Sequence, residues 1–98
     1  MRAILTTRAR LHLREIYDWY AERSASAADG FFFAFDDTIA RLERFPESAP
    51  RVVGEVRRTR LRRYPYHVIY LIRGERLAIL GIRHTKRGPE DYRGRQVL

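Results

Sequence analysis

The residues best suited to chemistry lie in one arginine-rich run, Arg57-Arg58-Thr59-Arg60-Leu61-Arg62-Arg63. If the run forms a strand, alternation places Arg58, Arg60 and Arg62 on one face and Arg57 and Arg63 on the other. Five like charges this close repel one another unless an anion neutralises them. Because the planar guanidinium group suits phosphate and carboxylate oxygens, the run predicts an anion-binding surface. A solvated edge strand is the alternative interpretation.

A second polar group follows the last apolar run of the chain and consists of His84, Lys86, Arg87 and Tyr92. Basic residues beside a phenol can hold a phosphodiester and transfer a proton. A basic tail that happens to contain one tyrosine would look the same. His67 is a further candidate for a general base, or a histidine that is simply hydrogen-bonded.

The sequence argues against metal and cofactor chemistry. Its three histidines lack the short spacing of metal ligands, and there is no cysteine to complete a site. The glycines fit no phosphate-binding loop pattern. We therefore expect no cofactor and no metal. The absence of cysteine also excludes disulfides, which suits a reducing compartment.

Charge is unevenly distributed along the 98 residues. The chain carries a net charge of +8, made up of −1 in residues 1–50 and +9 in residues 51–98. The second half therefore predicts a partner rich in phosphates or an acidic protein. The length and the 45% apolar content predict one globular domain over residues 1–98. No segment resembles a membrane span or a signal peptide, so we expect a cytoplasmic protein that does not bind membranes.

Two amphipathic helices are predicted after a short first strand, Arg2–Leu5. Thr6 or Thr7 can cap the first helix, whose apolar positions Ala9, Leu13, Ile16, Tyr17 and Tyr20 recur every three or four residues. Ser26 and Asp29 resemble a capping box for the second helix, whose apolar stripe is Ala28, Phe32, Phe35, Ile39 and Leu42. The pair Phe45-Pro46 should end it.

Helical spacing also sorts the phenylalanines of the second helix. At 100° per residue, Phe32 and Phe35 share the buried face, Phe31 flanks it and Phe33 points away. An exposed phenylalanine is ordinary by itself. Alternatively, Phe33 belongs to an apolar patch for a protein partner.

Three strands are predicted in the remainder, after a loop that contains Pro46, Pro50 and Gly54. They are Val56–Tyr64 as an arginine-rich edge strand, Tyr66–Ile72, and Arg76–His84, and the last two form a hairpin. The predicted fold class is α+β. An N-terminal strand and a two-helix hairpin pack on a small, mostly antiparallel sheet of three to four strands.

These features in this order resemble the RelE/ParE superfamily of bacterial toxin–antitoxin toxins. The resemblance runs nearly end to end: the strand and helical hairpin, Leu42-x-x-Phe45-Pro46, the arginine-rich strand leading into Tyr64-Pro65-Tyr66-His67-Val68-Ile69-Tyr70, and the ending Ile79-Leu80-Gly81-Ile82-Arg83-His84-Thr85-Lys86-Arg87 before Pro89 and Tyr92. The resemblance implies a helical hairpin on a mostly antiparallel sheet, a cognate antitoxin as partner, and toxicity when that antitoxin is lost.

The superfamily has two branches that act differently. RelE-like members cleave mRNA in the ribosome with a basic cluster and often a C-terminal tyrosine, whereas ParE-like members poison DNA gyrase. Arg58, Arg60 and Arg87 match basic positions of the RelE-like set. However, His67 stands where those enzymes use arginine, and Tyr92 falls one residue short of their tyrosine. The aromatic-Pro-Tyr strand and the His84-x-x-Arg87 ending look closer to ParE-like members.

We therefore expect a ParE-like toxin that inhibits DNA gyrase and is neutralised by a cognate antitoxin. The alternative is a ribosome-dependent mRNA endonuclease, and charge alone also fits a basic nucleic-acid-binding module. Binding of the target is assigned to Arg58, Arg60, Arg62, His84, Lys86 and Arg87. Binding of the antitoxin is assigned to Phe33, Arg57 and Arg63. In the RelE-like alternative, the catalytic residues are His67, Arg87 and Tyr92.

Overall fold

The computed structural model describes residues 1–86, which form two helices on one side of a five-stranded sheet. The elements are β1 (Arg2–Leu5), α1 (Thr7–Ala21), α2 (Ala25–Arg44), β2 (Arg51–Val53), β3 (Val56–Arg60), β4 (Tyr66–Arg73) and β5 (Arg76–His84). The strand order is β1-β5-β4-β3-β2, with β1 parallel to β5 and all other neighbours antiparallel. The α+β class is confirmed. The sheet has five strands rather than three to four, because β2 forms where a loop was predicted.

Side-chain caps set where both helices begin. Thr6 accepts a hydrogen bond from the backbone N–H of Ala9 at 3.1 Å, as predicted for α1. α2 begins earlier than predicted, because Ser24 rather than Ser26 is its cap and accepts from the N–H of Ala27 at 3.2 Å. α2 ends at Arg44, directly before Phe45-Pro46, as predicted.

The main core lies between the helices and the sheet, and Phe31 is at its centre. Phe31 is fully buried and stacks on Tyr20 with ring centroids 5.8 Å apart. The ring centroids of Phe31 and Tyr64 are also 5.8 Å apart, and these two rings meet edge to face. The prediction that Phe32 is buried was wrong, since its exposed fraction is 43%. The buried stripe of α2 is Ala28, Phe31, Phe35, Thr38 and Leu42.

The arginine-rich strand is shorter than predicted and is not an edge. β2 covers its outer side, with Arg51 opposite Arg57, and the N–H of Arg58 donates to the carbonyl of Pro50 at 3.3 Å. The strand ends at Arg60, after which Arg63 adopts a φ of 71°. Strand alternation therefore does not extend to Arg62 and Arg63.

The two faces of the sheet carry separate apolar clusters. The helix face includes Val68, Tyr70, Leu77, Ile79 and Ile82, which pack with residues of the two helices. The opposite face, called the far face below, carries a second buried cluster of Val56, Ile69, Leu71, Ala78 and Leu80. Neither described helix is long and apolar enough to span a membrane.

Candidate functional site on the far face of the sheet

Three neighbouring strands bring basic side chains together on the far face. Arg57 is opposite Tyr70 and therefore lies on the helix face, whereas Arg58 is opposite Ile69 and Arg60 is opposite His67. The separation of Arg57 from Arg58 and Arg60 is thus the one that strand alternation predicted. Directly opposite residues have Cβ atoms about 5 Å apart. Arg58, Arg60 and His67 therefore form one surface.

Arg83 is a further basic residue of this surface, and the sequence interpretation missed it. On β5 it lies opposite His67, so His67 has an arginine position on each side, Arg60 on β3 and Arg83 on β5. The sequence alone does not reveal this neighbour. Counting outward in pairs from Arg73 and Arg76 would place Ile82 opposite His67, but an irregularity between Ile69 and Tyr70 shifts the register by one residue and brings Arg83 there instead.

The surroundings of His67 shift its pKa. Its burial lowers its pKa from the ordinary value of 6.5, and the nearby guanidinium groups of Arg58 and Arg60 lower the pKa further. Its Nδ1 atom is buried and has no hydrogen-bond partner among residues 1–86. The imidazole is therefore neutral at pH 7 and has an unused hydrogen-bonding position. The guanidinium groups of Arg58 and Arg60 beside this imidazole can donate charge-assisted hydrogen bonds to an anionic oxygen.

The structure places the other predicted target residues elsewhere. His84 is opposite Tyr66 and turns to the helix face, where the two rings meet edge to face at 5.5 Å. The Nδ1 atom of His84 accepts a hydrogen bond from the N–H of Lys86 at 3.2 Å. Arg62 is exposed beyond the end of β3. Arg87 and Tyr92 lie outside the described residues. The predicted target set is therefore split between two faces, and its role stays a prediction.

No tyrosine of residues 1–86 lies on the far face. The tyrosines of residues 1–86 all belong to or pack against the helix-face cluster, and they are Tyr17, Tyr20, Tyr64, Tyr66 and Tyr70. None of them shares a face with His67. No group of three His, Asp or Glu side chains within residues 1–86 could hold a metal ion. The arginines of the far face can bind anions.

Comparison with known proteins identifies the family. The profile of a family described as "ParE toxin of type II toxin-antitoxin system, parDE" matches residues 3–89. The chain belongs to the ParE toxin family. The predicted membership of the RelE/ParE superfamily, closer to its ParE-like branch, is confirmed. A search of curated proteins gave no significant match.

A solved structure supports the same conclusion. The chain is similar to a chain of the chromosomal ParDE toxin–antitoxin system from P. aeruginosa, with 25% sequence identity and a TM-score of 0.75. The similarity covers 86% of this chain and 95% of the other. The protein is thus a ParE-like toxin of a type II toxin–antitoxin system, and a cognate antitoxin is its partner.

The three residues that were assigned to the toxin's antitoxin surface lie on three different parts of the fold. Phe33 lies on α2 with 70% of its surface exposed. Arg57 is only 9% exposed, and its Nη1 atom donates to the carbonyls of Ala49 at 2.6 Å and Glu47 at 3.2 Å. Arg63 is exposed in the connection between β3 and β4. The assignment stays a prediction, but the burial of Arg57 favours a structural role for it.

Proposed function

We propose that this ParE-like toxin inhibits DNA gyrase in the cytoplasm and binds its target through the far face of the sheet. The resemblance to ParE-like toxins implies gyrase as the target. The observation that carries the proposal is the far face itself. There Arg58 and Arg60 lie beside a neutral His67, and no tyrosine of residues 1–86 lies near His67 to act as an acid in cleavage. Such a surface is suited to binding rather than to cleavage.

The electrostatics of the far face agree with a nucleoprotein target. Gyrase acts on DNA. The DNA, as a polyanion, or an acidic protein surface beside it would neutralise the repulsion among the arginines of the far face. Guanidinium groups bind phosphate oxygens in bidentate fashion. Binding through this face should therefore weaken as salt concentration rises.

A purified supercoiling assay tests the proposal. The toxin should block DNA supercoiling by gyrase, and Arg58→Ala/Arg60→Ala should lose most of that inhibition. Arg60 is exposed and Arg58 is half-buried, so circular dichroism is used to confirm that this variant is folded. Arg8→Ala/Arg44→Ala is the matched control, since it removes the same charge from exposed positions on the two helices. Equal loss in both variants would mean that net charge, not the far face, causes inhibition.

The ribosome-dependent mRNA endonuclease remains a second candidate, because a neutral histidine is a suitable general base. That function needs His67 as base, a cationic clamp that includes Arg87, and Tyr92 as acid. If gyrase is the target, induced cells stop replicating DNA and show a DNA-damage response while early translation continues, and Tyr92→Phe stays toxic. Rapid arrest of translation with mRNA cut at ribosomal positions, abolished by His67→Ala or Tyr92→Phe, would establish the nuclease instead.

A further inference from the structure

A second group of basic side chains crosses the far face at the opposite end from His67. Arg76 of β5 lies opposite Arg73 of β4 and opposite Arg2 of β1, so the three form one row across neighbouring strands, called the arginine row below. All three are exposed. Their neighbours along the strands pack in the helix-face cluster, and they are Ala3, Ile72 and Leu77. Strand alternation therefore directs the arginine row to the far face.

The arginine row is unfavourable for folding by itself. Directly opposite residues have Cβ atoms about 5 Å apart, and like charges in such positions destabilise a sheet. Arg2 and Arg76 form no ion pair with any residue of 1–86. An arrangement of this kind on an exposed surface is explained by an anion that neutralises it.

The charged residues of the sheet all have the same sign. None of the five strands contains an aspartate or glutamate, whereas α1 and α2 together contain six. The strand arginines that point to the far face are Arg2, Arg58, Arg60, Arg73, Arg76 and Arg83. A surface that is positive from one end to the other attracts an anion longer than either group of arginines alone.

The distance between the two groups fits duplex DNA. Along β4, His67 and Arg73 are six residues apart, which corresponds to about 20 Å. Arg58 lies opposite Ile69, so its distance from the arginine row is shorter, about 14 Å along the strand. The major groove of B-DNA is about 12 Å wide. Long arginine side chains at the two ends of the face can therefore reach the phosphates on both sides of that groove.

The residues between the two groups favour DNA over an acidic protein. Ile69, Leu71 and Ala78 lie there and are buried, with no more than 7% of their surface exposed. The core of a protein–protein interface is usually apolar and poor in charge, whereas protein–DNA interfaces are more polar and strongly positive. On β4 and β5, the far face offers a partner positive charge and little apolar surface.

We propose that the far face binds duplex DNA along its phosphate backbone, with Arg58 and Arg60 at one side of the groove and the arginine row at the other. The contacts are made to phosphates, so binding does not depend on base sequence. Resting on gyrase as the proposed target, this contact adds the DNA held by the enzyme to the surface that the toxin recognises.

Fluorescence anisotropy of a labelled duplex, with purified toxin and no gyrase, tests the proposal. A duplex of about 20 base pairs is long enough to span the face. The arginine-row variant, Arg2→Gln/Arg73→Gln/Arg76→Gln, should raise the Kd by about tenfold or more. The slope of log K against log salt concentration should become shallower by about 2–3, because each arginine contacts about one phosphate. Two duplexes of unrelated sequence should give the same result.

A matched control removes the same charge from the other side of the molecule. Arg8→Gln/Arg10→Gln/Arg44→Gln changes three exposed arginines of the two helices and lowers the net charge equally. Its Kd should stay within about threefold of wild type, because charges more than a Debye length from the bound DNA are largely screened. Circular dichroism confirms that both triple variants are folded.

Arg76→Gln separates binding from folding. This change removes the charge that lies between Arg2 and Arg73. The midpoint of urea unfolding without DNA should therefore be at least as high as in the wild type, while the Kd for DNA rises. If Arg76 had only a structural role, the midpoint would fall and the Kd of the folded variant would not change.

Three results would overturn the proposal. The first is a wild-type toxin that does not bind the duplex even at low salt. The second is an equal loss of affinity in the arginine-row variant and the control, which would assign binding to net charge. The third is a toxin that inhibits gyrase through the arginine row without binding DNA, which would assign the row to an acidic protein surface. A toxin that binds DNA through the row but does not inhibit supercoiling would support this proposal and refute only the gyrase proposal.

Discussion

Replacement of Gly30 should have an effect opposite to the one that helix propensity predicts. Gly30 lies inside α2, where alanine normally stabilises a helix by about 1 kcal/mol relative to glycine. In this fold, however, a Cβ atom at Gly30 would overlap the hydroxyl oxygen of Tyr64. That hydroxyl donates to the carbonyl of Ala27 at 3.0 Å, so the ring has little freedom to move away.

The magnitude follows from these opposing terms. Overpacking in a close-packed region costs about 1–3 kcal/mol, and loss of the hydrogen bond to Ala27 adds about 1 kcal/mol. After the gain in helix propensity of about 1 kcal/mol, Gly30→Ala should lower the free energy of unfolding by about 1–3 kcal/mol. Tyr64→Phe alone should lower it by about 1 kcal/mol, because only the hydrogen bond is lost.

The double variant decides whether this explanation is right. Without the hydroxyl, the nearest ring atom of residue 64, Cζ, lies 3.5 Å from the new Cβ, which is ordinary van der Waals contact. Gly30→Ala/Tyr64→Phe should therefore be nearly as stable as wild type, with a coupling energy of about 2–4 kcal/mol between the two positions. Urea unfolding of all four proteins measures this cycle. A Gly30→Ala variant that is more stable than wild type, or additive effects of the two substitutions, would refute the reasoning.

Three further predictions concern single residues. Arg57→Met should lower the free energy of unfolding by about 2–3 kcal/mol, because it leaves two loop carbonyls without their charged donor, whereas Arg58→Met should change it little in the same urea titration. Ser24→Ala should cost about 1 kcal/mol as the loss of a helix cap, while Ser26→Ala, at the position that the sequence favoured, should have a much smaller effect on the thermal midpoint. The pKa of His67 is lowered in the folded state, so the unfolded chain takes up the proton first as the pH falls below 6.5. Stability should therefore decrease from that pH until the folded pKa is passed. Titration of the His67 ring signals by NMR should give a pKa below 6.5, and His67→Gln should remove this part of the pH dependence.

Local patterns in the sequence were sufficient for most elements of the fold. A cap at Thr6 or Thr7 and the apolar spacing of α1 predicted the first helix, and the hairpin of β4 and β5 followed from two apolar runs around Gly74. β2 escaped prediction because it has only three residues, between Pro50 and Gly54. Its pairing is set by the neighbouring strand and not by a pattern of its own.

The error at Phe31 has a specific physical cause. The predicted stripe on α2 shares Ala28, Phe35 and Leu42 with the observed one and differs only in choosing Phe32 and Ile39 over Phe31 and Thr38. Both patterns repeat every three or four residues, and the polar Thr38 made the correct pattern look weaker. The choice between them depends on where Tyr20 and Tyr64 meet the helix, which is tertiary information.

Arg57 shows the same limit at the candidate site. Alternation correctly separated it from Arg58 and Arg60, but alternation does not indicate which face the helices cover. Without that knowledge, a guanidinium group that holds a loop looks like one that is free to bind a partner. The two strands that place Arg83 beside His67 were both predicted, but this neighbour could not be found by counting the register, because the irregularity between Ile69 and Tyr70 shifts the pairing by one residue.

The position of β1 has a consequence for when the toxin can become harmful. β1 pairs in parallel with β5, so Arg2 lies opposite Arg76 and Leu5 lies opposite Ile79. β1 is made before β5 and must wait for it before it gains a neighbouring strand, and contacts so distant in sequence form slowly. A growing chain that has passed α2 but not β5 cannot complete its sheet. Folding of the toxin is thus delayed until β5 has been made.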